Sequence, residues 1–356
     1  MSVLDLKKFT VIFLAVFFVA CASSYMDTRH SSPNFENDAF KNTNSVKFLS
    51  FWEMFKSVLE SDVEPSVWPE WVDTSADTSP VKKVVNSNTR ITFINHATFL
   101  LQTGGFNILT DPVFSERTSP FSFLGPKRVH SPGIAIENLP PIDVIIISHD
   151  HYDHLDLDSI RALAKRDNPK IYMGLGVGER LSGSEQIIEL DWWESSRVAD
   201  DFQLWFVDVQ HFSGRWLTDR NSTLWGGFLL EIAGQKIYFG GDSGYADHYK
   251  RTFERFGPVD IAFLPIGAYA PREFFEEVHM DPSDAVQAHL DLRAGISIGM
   301  HYGTFQLTAE AINEPVNFLE QAKKEANIGP SEFITLKIGQ PFELASGPPA
   351  SSASLK

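Results

Sequence analysis

A cluster of metal-binding residue types follows an apolar segment near the middle of the chain. Residues 143–148 are typical of a buried strand, and the next six residues, His149 to His154, read His-Asp-His-Tyr-Asp-His. Imidazoles and carboxylates hold borderline divalent metals such as zinc. The spacing lets His149 and His151 project toward one ion while Asp153 and His154 reach a second. We therefore predict a two-metal site on the loop after this strand; the alternative is a polar loop in which Asp153 caps the next helix.

Three isolated residues of the same types stand where other apolar segments end. His211 follows residues 205–210, Asp242 follows residues 237–241 and His301 follows residues 296–300. Because folds built on β-sheets often gather their functional residues at strand ends along one rim of a sheet, we expect the three side chains to converge on the first cluster. Taken singly, each is ambiguous, since a lone histidine after a strand is often structural and an aspartate among glycines suits a turn.

The length, composition and net charge of the chain limit its structural class and its possible partners. With 356 residues, 43% of them hydrophobic and 13% aromatic, it can bury a sizeable core in one large domain or two smaller ones. Its formal charge of -16 and the lack of a lysine or arginine run argue against a nucleic-acid partner, whose phosphates would be repelled.

The first 21 residues are typical of an export signal. Lys7 and Lys8 precede an apolar stretch at residues 11–20 that is too short to span a bilayer as a mature helix. The single cysteine, Cys21, follows Phe18-Val19-Ala20, which resembles a bacterial lipoprotein cleavage box with Phe in place of the usual Leu. We therefore expect an exported lipoprotein, anchored to the membrane through acylated Cys21 and facing the periplasm or cell exterior. The alternatives are an ordinary secreted protein and an uncleaved anchor.

Residues 22–80 are predicted to be a tether followed by a helical extension. The polar stretch from residue 22 to about residue 44 is expected to be flexible, and residues 46–60 show the apolar periodicity of an amphipathic helix. Docking of that helix on the main domain is favoured over a membrane surface. We place the catalytic domain at residues 81–344 and a disordered tail, rich in Ser, Ala, Gly and Pro, at residues 345–356.

The order of strands and helices predicts an α/β domain. Short strands open it in antiparallel fashion at residues 91–95, 98–102 and 106–110, with a Gly-Gly turn before the third. Helices and strands then alternate, which predicts mixed sheets with helices on their outer faces. The later helices are expected at 155–166, 247–256, 282–292 and 309–325, and the later strands at 204–209, 225–232, 236–239, 261–265 and 296–300.

The order of the predicted ligands is similar to that of the metallo-β-lactamase superfamily. More narrowly, the chain resembles N-acyl phosphatidylethanolamine phospholipase D and its bacterial relatives over roughly residues 90–318. The His-x-His-x-Asp-His motif marks the superfamily, and the flanking motifs narrow the resemblance to this branch. These motifs are residues 95–98, 110–112, 125–128, 139–143, 189–194, 241–245, 255–258, 265–269 and 301–305.

The resemblance implies a four-layer αββα sandwich in which two mixed sheets are flanked by helices and two zinc ions bind at one edge, with iron or manganese as alternatives. It implies that His149, His151 and His211 hold one ion, that Asp153, His154 and His301 hold the other, and that Asp242 bridges them. His279 matches a histidine near the substrate phosphate, and Asp111 and His96 match residues behind the metal shell.

Three hypotheses about function follow. The first is a dinuclear zinc phosphodiesterase of phospholipase D type, in which a metal-bridging hydroxide splits N-acyl phosphatidylethanolamine into N-acylethanolamine and phosphatidic acid. Asp153, Asp242 and His279 would take part in catalysis. Val278 stands where the animal enzyme has a glutamine, so the identity of the lipid head group that is recognised stays open. The second hypothesis is hydrolysis of a lactone or cyclic phosphodiester, and the third is a non-catalytic metal-binding envelope lipoprotein. The expected partners are a phospholipid substrate and a membrane surface, and homodimerisation stays open.

Two apolar loop segments bear on the substrate class. Residues 120–124 (Pro-Phe-Ser-Phe-Leu) and the pair Phe274-Phe275 fall between predicted elements. An enzyme that hydrolyses lipids needs an apolar approach for acyl chains, whereas packing under neighbouring loops is the plainer expectation for such residues.

Overall fold

The computed structural model of the protein describes residues 28–44, 46, 64–75, 80–85, 88–181, 185–216 and 218–345. The export signal with Cys21, the helix predicted at 46–60 apart from its first residue, and the tail at 346–356 lie outside these residues. Among the residues described, no helix has the length and apolar character needed to cross a bilayer.

Two seven-stranded mixed sheets form the centre of the molecule, preceded by a short hairpin of β1 (Phe35–Glu36) and β2 (Ala39–Phe40). From one edge to the other, the first sheet contains β16 (Pro341–Leu344), β3 (Thr89–Asn95), β4 (Thr98–Thr103), β5 (Phe106–Thr110), β6 (Val144–Ile146), β7 (Lys170–Gly174) and β8 (Gln186–Leu190). In the same way, the second contains β15 (Phe333–Ile334), β14 (Ile296–Met300), β13 (Ile261–Pro265), β12 (Gln235–Phe239), β11 (Gly227–Ile232), β10 (Phe202–Val207) and β9 (Ser195–Ala199).

Each sheet is antiparallel at one end and parallel at the other. In the first sheet β16, β3, β4 and β5 pair antiparallel, and β5 to β8 pair in parallel. In the second sheet β9 to β12 are antiparallel, and β12 to β15 are parallel. Every residue of β6, β13 and β14 is buried, as expected for strands covered on both faces.

Helices cover the outer face of each sheet and complete four layers. The central layer joins aromatic and aliphatic side chains of both sheets, with Phe93 and Phe99 of one sheet near Phe263 of the other. The helices are α1 (Leu157–Asp167), α2 (His248–Phe256), α3 (Arg272–Phe275), α4 (Pro282–Leu292) and α5 (Glu314–Glu325). Helix α1 packs against the first sheet, and α2, α4 and α5 share an apolar cluster with the second. The predicted αββα sandwich is therefore confirmed.

The segment before the sandwich differs from the sequence-based expectation. Residues 28–44, predicted to be part of a flexible tether, form a 3-10 turn and the β1–β2 hairpin. Phe40 of this hairpin is only 1% exposed and lies in the central apolar cluster, where its ring is 4.7 Å from that of Phe35. Burial of Phe40 and the packing of the partly buried Phe35 against it outweigh the polar character of the rest of the segment.

Two other expectations about elements also require correction. The helix expected at 309–325 begins only at Glu314, because Pro315 occupies its first turn and favours a start there. Strands β7, β8, β9, β15 and β16 were not predicted from the sequence. Of these, β8 and β9 are edge strands with mixed or largely exposed burial patterns, so they lack a clear apolar signal.

Removing a ring from the central layer should destabilise the protein far more than removing an exposed one. Phe263 is fully buried between the sheets, whereas the Phe123 side chain is 78% exposed. We expect Phe263→Ala to lower the free energy of unfolding by about 3–5 kcal/mol and Phe123→Ala to change it by less than about 0.5 kcal/mol. Denaturant titration of both variants measures the difference, and equal losses would contradict the packing described.

Candidate metal centre

The predicted ligands come from loops that leave neighbouring strand ends. His149 to His154 lie on the loop between β6 and α1, His211 follows β10, Asp242 follows β12 and His301 directly follows β14. These strand ends lie at one rim of the sandwich, and the structure brings all seven side chains together there. Helix α1 is capped by Asp156, whose carboxylate accepts the Asp158 N–H, so the alternative role of Asp153 as the helix cap does not hold.

The first group of ligand atoms contains three imidazole nitrogens. The distance from His149 Nε2 to His151 Nδ1 is 2.8 Å, and His211 Nε2 lies 3.3 Å from the same His151 atom. Two nitrogens bound tetrahedrally to one zinc ion at its usual bond length would be about 3.3 Å apart. The three nitrogens therefore lie close enough together for one ion to bind them all.

The second group of ligand atoms contains a carboxylate and two imidazoles. Asp153 Oδ2 lies 3.3 Å from His301 Nε2 and 3.6 Å from His154 Nε2. Nitrogen and oxygen ligands of this kind suit zinc, iron and manganese alike.

Asp242 stands between the two groups. Its Oδ2 atom is 3.1 Å from His301 Nε2 and 3.2 Å from His154 Nε2, on the side of the second group. The same oxygen lies 3.9 Å from His149 Nε2 and 3.8 Å from His211 Nε2, on the side of the first. One carboxylate thus faces both sets of nitrogens, which is the placement a bridging ligand needs.

Hydrogen bonds on the outer side of the rings determine which nitrogen carries the proton. His154 Nδ1 lies 2.7 Å from Asp111 Oδ2, and His211 Nδ1 lies 2.9 Å from the Val278 carbonyl oxygen. A carbonyl or an ionised carboxylate can only accept, so these outer nitrogens donate. In the neutral tautomer the inner Nε2 atoms of both rings consequently present lone pairs to the centre, as metal ligation requires.

Ser148 extends the same arrangement to His149. Its hydroxyl donates to Asp111 Oδ2 at 2.6 Å and lies 2.9 Å from His149 Nδ1, from which it can accept. Asp111 also accepts the Ser148 backbone N–H at 2.7 Å. A single buried carboxylate therefore orients ligands of both groups, one directly and one through a hydroxyl.

The pKa directions separate the two groups of ligands. Burial, together with neighbouring imidazoles, lowers the pKa of His149 and of His211 well below the usual value, so these rings are neutral. Burial raises the pKa of Asp242, but His154 and His301 outweigh it and hold that pKa well below its usual range. Burial opposes protonation of His301, yet Asp242 and Asp153 raise its pKa to about 9. A cation bound beside these carboxylates would therefore displace protons from the second group.

Unpartnered buried atoms provide an independent test of whether metals fit. The atoms His154 Nε2, His301 Nε2 and Asp242 Oδ1 are buried and have no hydrogen-bond partner. Buried polar atoms almost always have a partner, and here three that lack one belong to ligands of the same centre, where both Nε2 atoms lie within 3.2 Å of Asp242 Oδ2. The residues present thus fit a pair of divalent ions, whose identity the donor atoms do not fix.

Three residues at the site are held in strained backbone conformations. His96, Asp111 and His301 have φ angles of 45°, 32° and 63°, a region that residues other than glycine rarely adopt. His96 Nε2 lies 3.0 Å from Asp153 Oδ2, and His96 joins Asp153, His154 and His301 in one group of potential ligand atoms, so its predicted place behind the metal shell stays a prediction. Strain of this kind persists only where surrounding contacts enforce it, and it is common at functional sites.

His279 lies beside the shared carboxylate and forms a group of potential ligand atoms with His211 and Asp242. Its side chain is 13% exposed, and its Nδ1 atom is 3.9 Å from Asp242 Oδ2. The ring packs edge-on against His211, with ring centroids 5.2 Å apart. Burial lowers the pKa of His279 to about 4, so the imidazole is neutral near pH 7.

Several residues that support the site were not found from the sequence. Ser148 directly precedes the motif, so its position was a usable signal, whereas the Val278 carbonyl has no sequence signal at all. Asp150, inside the motif, is fully buried and accepts from Gly214 N at 2.7 Å and from Arg180 Nε at 3.1 Å. Its carboxylate therefore fixes the ligand loop to the rest of the domain.

Comparisons with known proteins agree with this geometry. Residues 106–302 match the Beta-lactamase superfamily domain. An uncharacterised protein of Mycobacterium tuberculosis is 35% identical over 318 residues, covering 87% of this chain and 84% of its own length. The N-acyl-phosphatidylethanolamine-hydrolyzing phospholipase D 1 of Caenorhabditis elegans is 37% identical over 267 residues, covering 71% of this chain and 75% of that enzyme.

A solved structure supports the same assignment at the level of the fold. The metallo hydrolase Igni18 of the archaeon Ignicoccus hospitalis superimposes with a TM-score of 0.56 and 20% identity, covering 73% of this chain and all of its own. The family match spans more than half of the chain and includes the ligands from His149 to His301. The resemblance inferred from the motifs is thus confirmed, and the chain belongs to the metallo-β-lactamase superfamily of metal-dependent hydrolases.

Proposed function

We propose that this protein is a dinuclear metal-dependent phosphodiesterase of phospholipase D type, which splits N-acyl phosphatidylethanolamine into N-acylethanolamine and phosphatidic acid. The observation that carries the proposal is the pair of ligand groups that share Asp242, because two adjacent metals are suited to phosphodiester hydrolysis. The choice of lipid is supported by the similarity to the C. elegans phospholipase D, which is 37% identical.

Different residues of the site would have different roles in this reaction. When bound, two divalent ions supply a water of lowered pKa and offset negative charge on the phosphate. Asp242 and Asp153 remain ionised, because nearby imidazoles hold their pKa values well below the usual range. Asp111 and the Val278 carbonyl keep the ligand rings in one orientation, so little reorganisation is needed during the reaction.

His279 is proposed to hold the phosphate by a hydrogen bond. Its side chain is partly exposed, and it contacts the His211 ring without a hydrogen-bond partner at Nδ1. With a pKa of about 4 it is neutral at physiological pH, so it can donate from one nitrogen to a phosphate oxygen. This favours phosphate binding over protonation of the leaving group.

Exposed apolar side chains beside the ligand loop would offer a lipid an apolar contact surface. Phe123 and Leu124 are 78% and 61% exposed, and Trp216 on a separate loop is 62% exposed. Phe121 and Trp216 border a cavity of about 680 Å³, which Tyr152 and Leu155 of the ligand loop also line. The expectation that residues 120–124 pack under neighbouring loops is therefore wrong for these side chains, and their exposure supports contact with acyl chains.

A membrane anchor would complement this apolar surface. We propose that acylated Cys21 holds the enzyme at the membrane on the periplasmic or outer side. Tethering raises the effective concentration of enzyme at its lipid substrate without any new contact at the site.

Purified protein should release N-acylethanolamine and phosphatidic acid from vesicles that contain N-acyl phosphatidylethanolamine. Mass spectrometry of the products identifies which bond is broken, and Asp242→Ala, which lacks the shared carboxylate, should be at least about 100-fold slower. Release of fatty acid alone would contradict the phosphodiester assignment. Turnover of lactones or cyclic phosphodiesters without lipid hydrolysis would favour the second hypothesis, and bound metal without any turnover would favour the third.

Replacing His279 should separate phosphate binding from metal binding. A hydrogen bond to a charged group contributes about 1.5–3 kcal/mol, so we expect His279→Ala to lower kcat/KM for the lipid by about 10- to 150-fold. Elemental analysis should show unchanged metal content in this variant and reduced content in Asp242→Ala. A loss of metal from His279→Ala would instead make His279 a ligand.

Metal removal should abolish hydrolysis and lower stability together. A chelator leaves Asp242 and Asp153 without a cation, and an ion present at a thousand times its dissociation constant stabilises a fold by about 4 kcal/mol. We expect activity and the unfolding temperature to recover on addition of zinc, manganese or iron. In Asp242→Ala the chelator should have a smaller effect, and full activity after complete metal removal would contradict the proposal.

A further inference from the structure

The segment that precedes the sandwich contacts the backbone of a predicted metal ligand. The Asn42 side-chain amide donates from Nδ2 to the His211 carbonyl oxygen at 2.8 Å, and its Oδ1 accepts the His211 backbone N–H at 3.1 Å. Asn42 therefore satisfies the donor and the acceptor of His211 at once, across 169 positions of sequence. Such a two-point contact fixes both the position and the direction of the peptide.

Neighbouring contacts anchor Asn42 to the same part of the domain. Phe40 is buried in the central cluster, and its backbone N–H donates to the Asn221 carbonyl at 2.8 Å. Asn221 in turn donates its backbone N–H to Ser213, two residues beyond His211. Thr43 Oγ1 donates to Asp208 Oδ2 at 2.9 Å, three residues before His211. The segment thus holds the chain on both sides of this ligand.

The loop that carries His211 is bonded on both sides of this residue, where the Gln210 N–H donates to Ser243 Oγ and the Gly214 N–H donates to Asp150 Oδ1, but these bonds do not involve the backbone of His211 itself. Strand β10 ends at Val207 and β11 begins at Gly227, so His211 lies in the long connection between them. Its neighbour Gln210 forms an isolated bridge with Gly244, but the backbone groups of His211 are satisfied by Asn42. The ring is oriented separately, through the bond from Nδ1 to the Val278 carbonyl.

We propose that Asn42, held in place by its neighbours Phe40 and Thr43, is a positioning residue for the metal centre and helps to hold the ion that His149, His151 and His211 would bind. Asn42 contributes no ligand atom; it acts by fixing the backbone from which the His211 ring projects. The proposal depends on the metal centre and not on the lipid substrate, so it stands or falls independently of the phospholipase activity.

Titration of metal-free full-length protein with zinc or cobalt tests this role. We expect Asn42→Ala to weaken binding of one of the two ions by about 10- to 100-fold, as loss of a supporting contact commonly does, and to leave the other ion unaffected. The absorption spectrum of bound cobalt should change for the same ion. His211→Ala serves as the reference that identifies which of the two binding steps depends on this ligand.

Two further variants distinguish positioning from general loss of structure. Asn42→Asp retains the acceptor for the His211 N–H but loses the donor, so its metal affinity should fall between wild type and Asn42→Ala. Lys41→Ala changes the adjacent, exposed side chain, which pairs with Glu36, and should bind both ions as the wild type does. Thermal unfolding of the metal-free proteins measures stability separately.

The proposal fails if Asn42→Ala folds and binds both ions normally, or if it weakens both ions equally. If Asn42→Ala does not fold, Asn42→Asp decides the question by the same criterion. Selective weakening of the step that His211→Ala also removes, with metal-free stability close to that of Lys41→Ala, supports positioning.

Discussion

Two carboxylates are surrounded by imidazoles at the rim where the two sheets end. Asp242 is 2% exposed and Asp153 is 13% exposed, and burial of an ionised carboxylate is costly unless opposite charge lies nearby. The inner nitrogens of His149 and His211 cannot provide that charge, because their pKa values are strongly lowered. The negative charge of Asp153 and Asp242 can therefore be balanced only by protons on the second group or by bound cations. The rest of the structure holds the ligands in positions suited to binding such cations.

The sandwich meets this requirement through its topology. The ligands follow strands of both sheets: β6 in the first, and β10, β12 and β14 in the second. The two sheets must therefore keep a fixed position relative to each other for the two ligand groups to meet. The apolar layer between the sheets, in which Phe99 contacts Phe263, fixes this relative position through close packing. Left-handed backbone at His96, Asp111 and His301 then turns the chain sharply at the rim. The packing of the core therefore also sets the geometry of the metal centre.

The sequence allowed prediction of those features that leave a local signal. Strands β13 and β14 and helix α4 have the predicted bounds, because each is an apolar or amphipathic run with clear end signals. The ligands were identified as metal-binding types at strand ends. Strand β9, which reads Ser-Ser-Arg-Val-Ala, has no such signal, since its pairing with β10 rather than its own burial stabilises it.

Contacts between distant segments could not be predicted for a different reason. The Val278 carbonyl that orients His211 would be present whatever residue stood at position 278. Asn42 bonds to a backbone group, so neither partner carries a recognisable pattern. The buried Phe40 lies in a polar segment that composition alone marks as a tether. In each case the information lies in the three-dimensional proximity of segments, which a single sequence does not display.

The two halves of the site would also differ in ligand charge once bound cations have displaced the protons of the second group. The first half has three imidazoles, and the buried carboxylate nearest to it in sequence, Asp150, is neutralised by Arg180. The second half contains Asp153, with Asp111 behind His154, so it is the more negative. In the proposed reaction an anionic phosphate would be repelled less by the first half. The His279 ring lies between the halves, with centroid distances of 5.2 Å to His211 and 5.4 Å to His301, so its hydrogen bond would reach a phosphate oxygen that faces both.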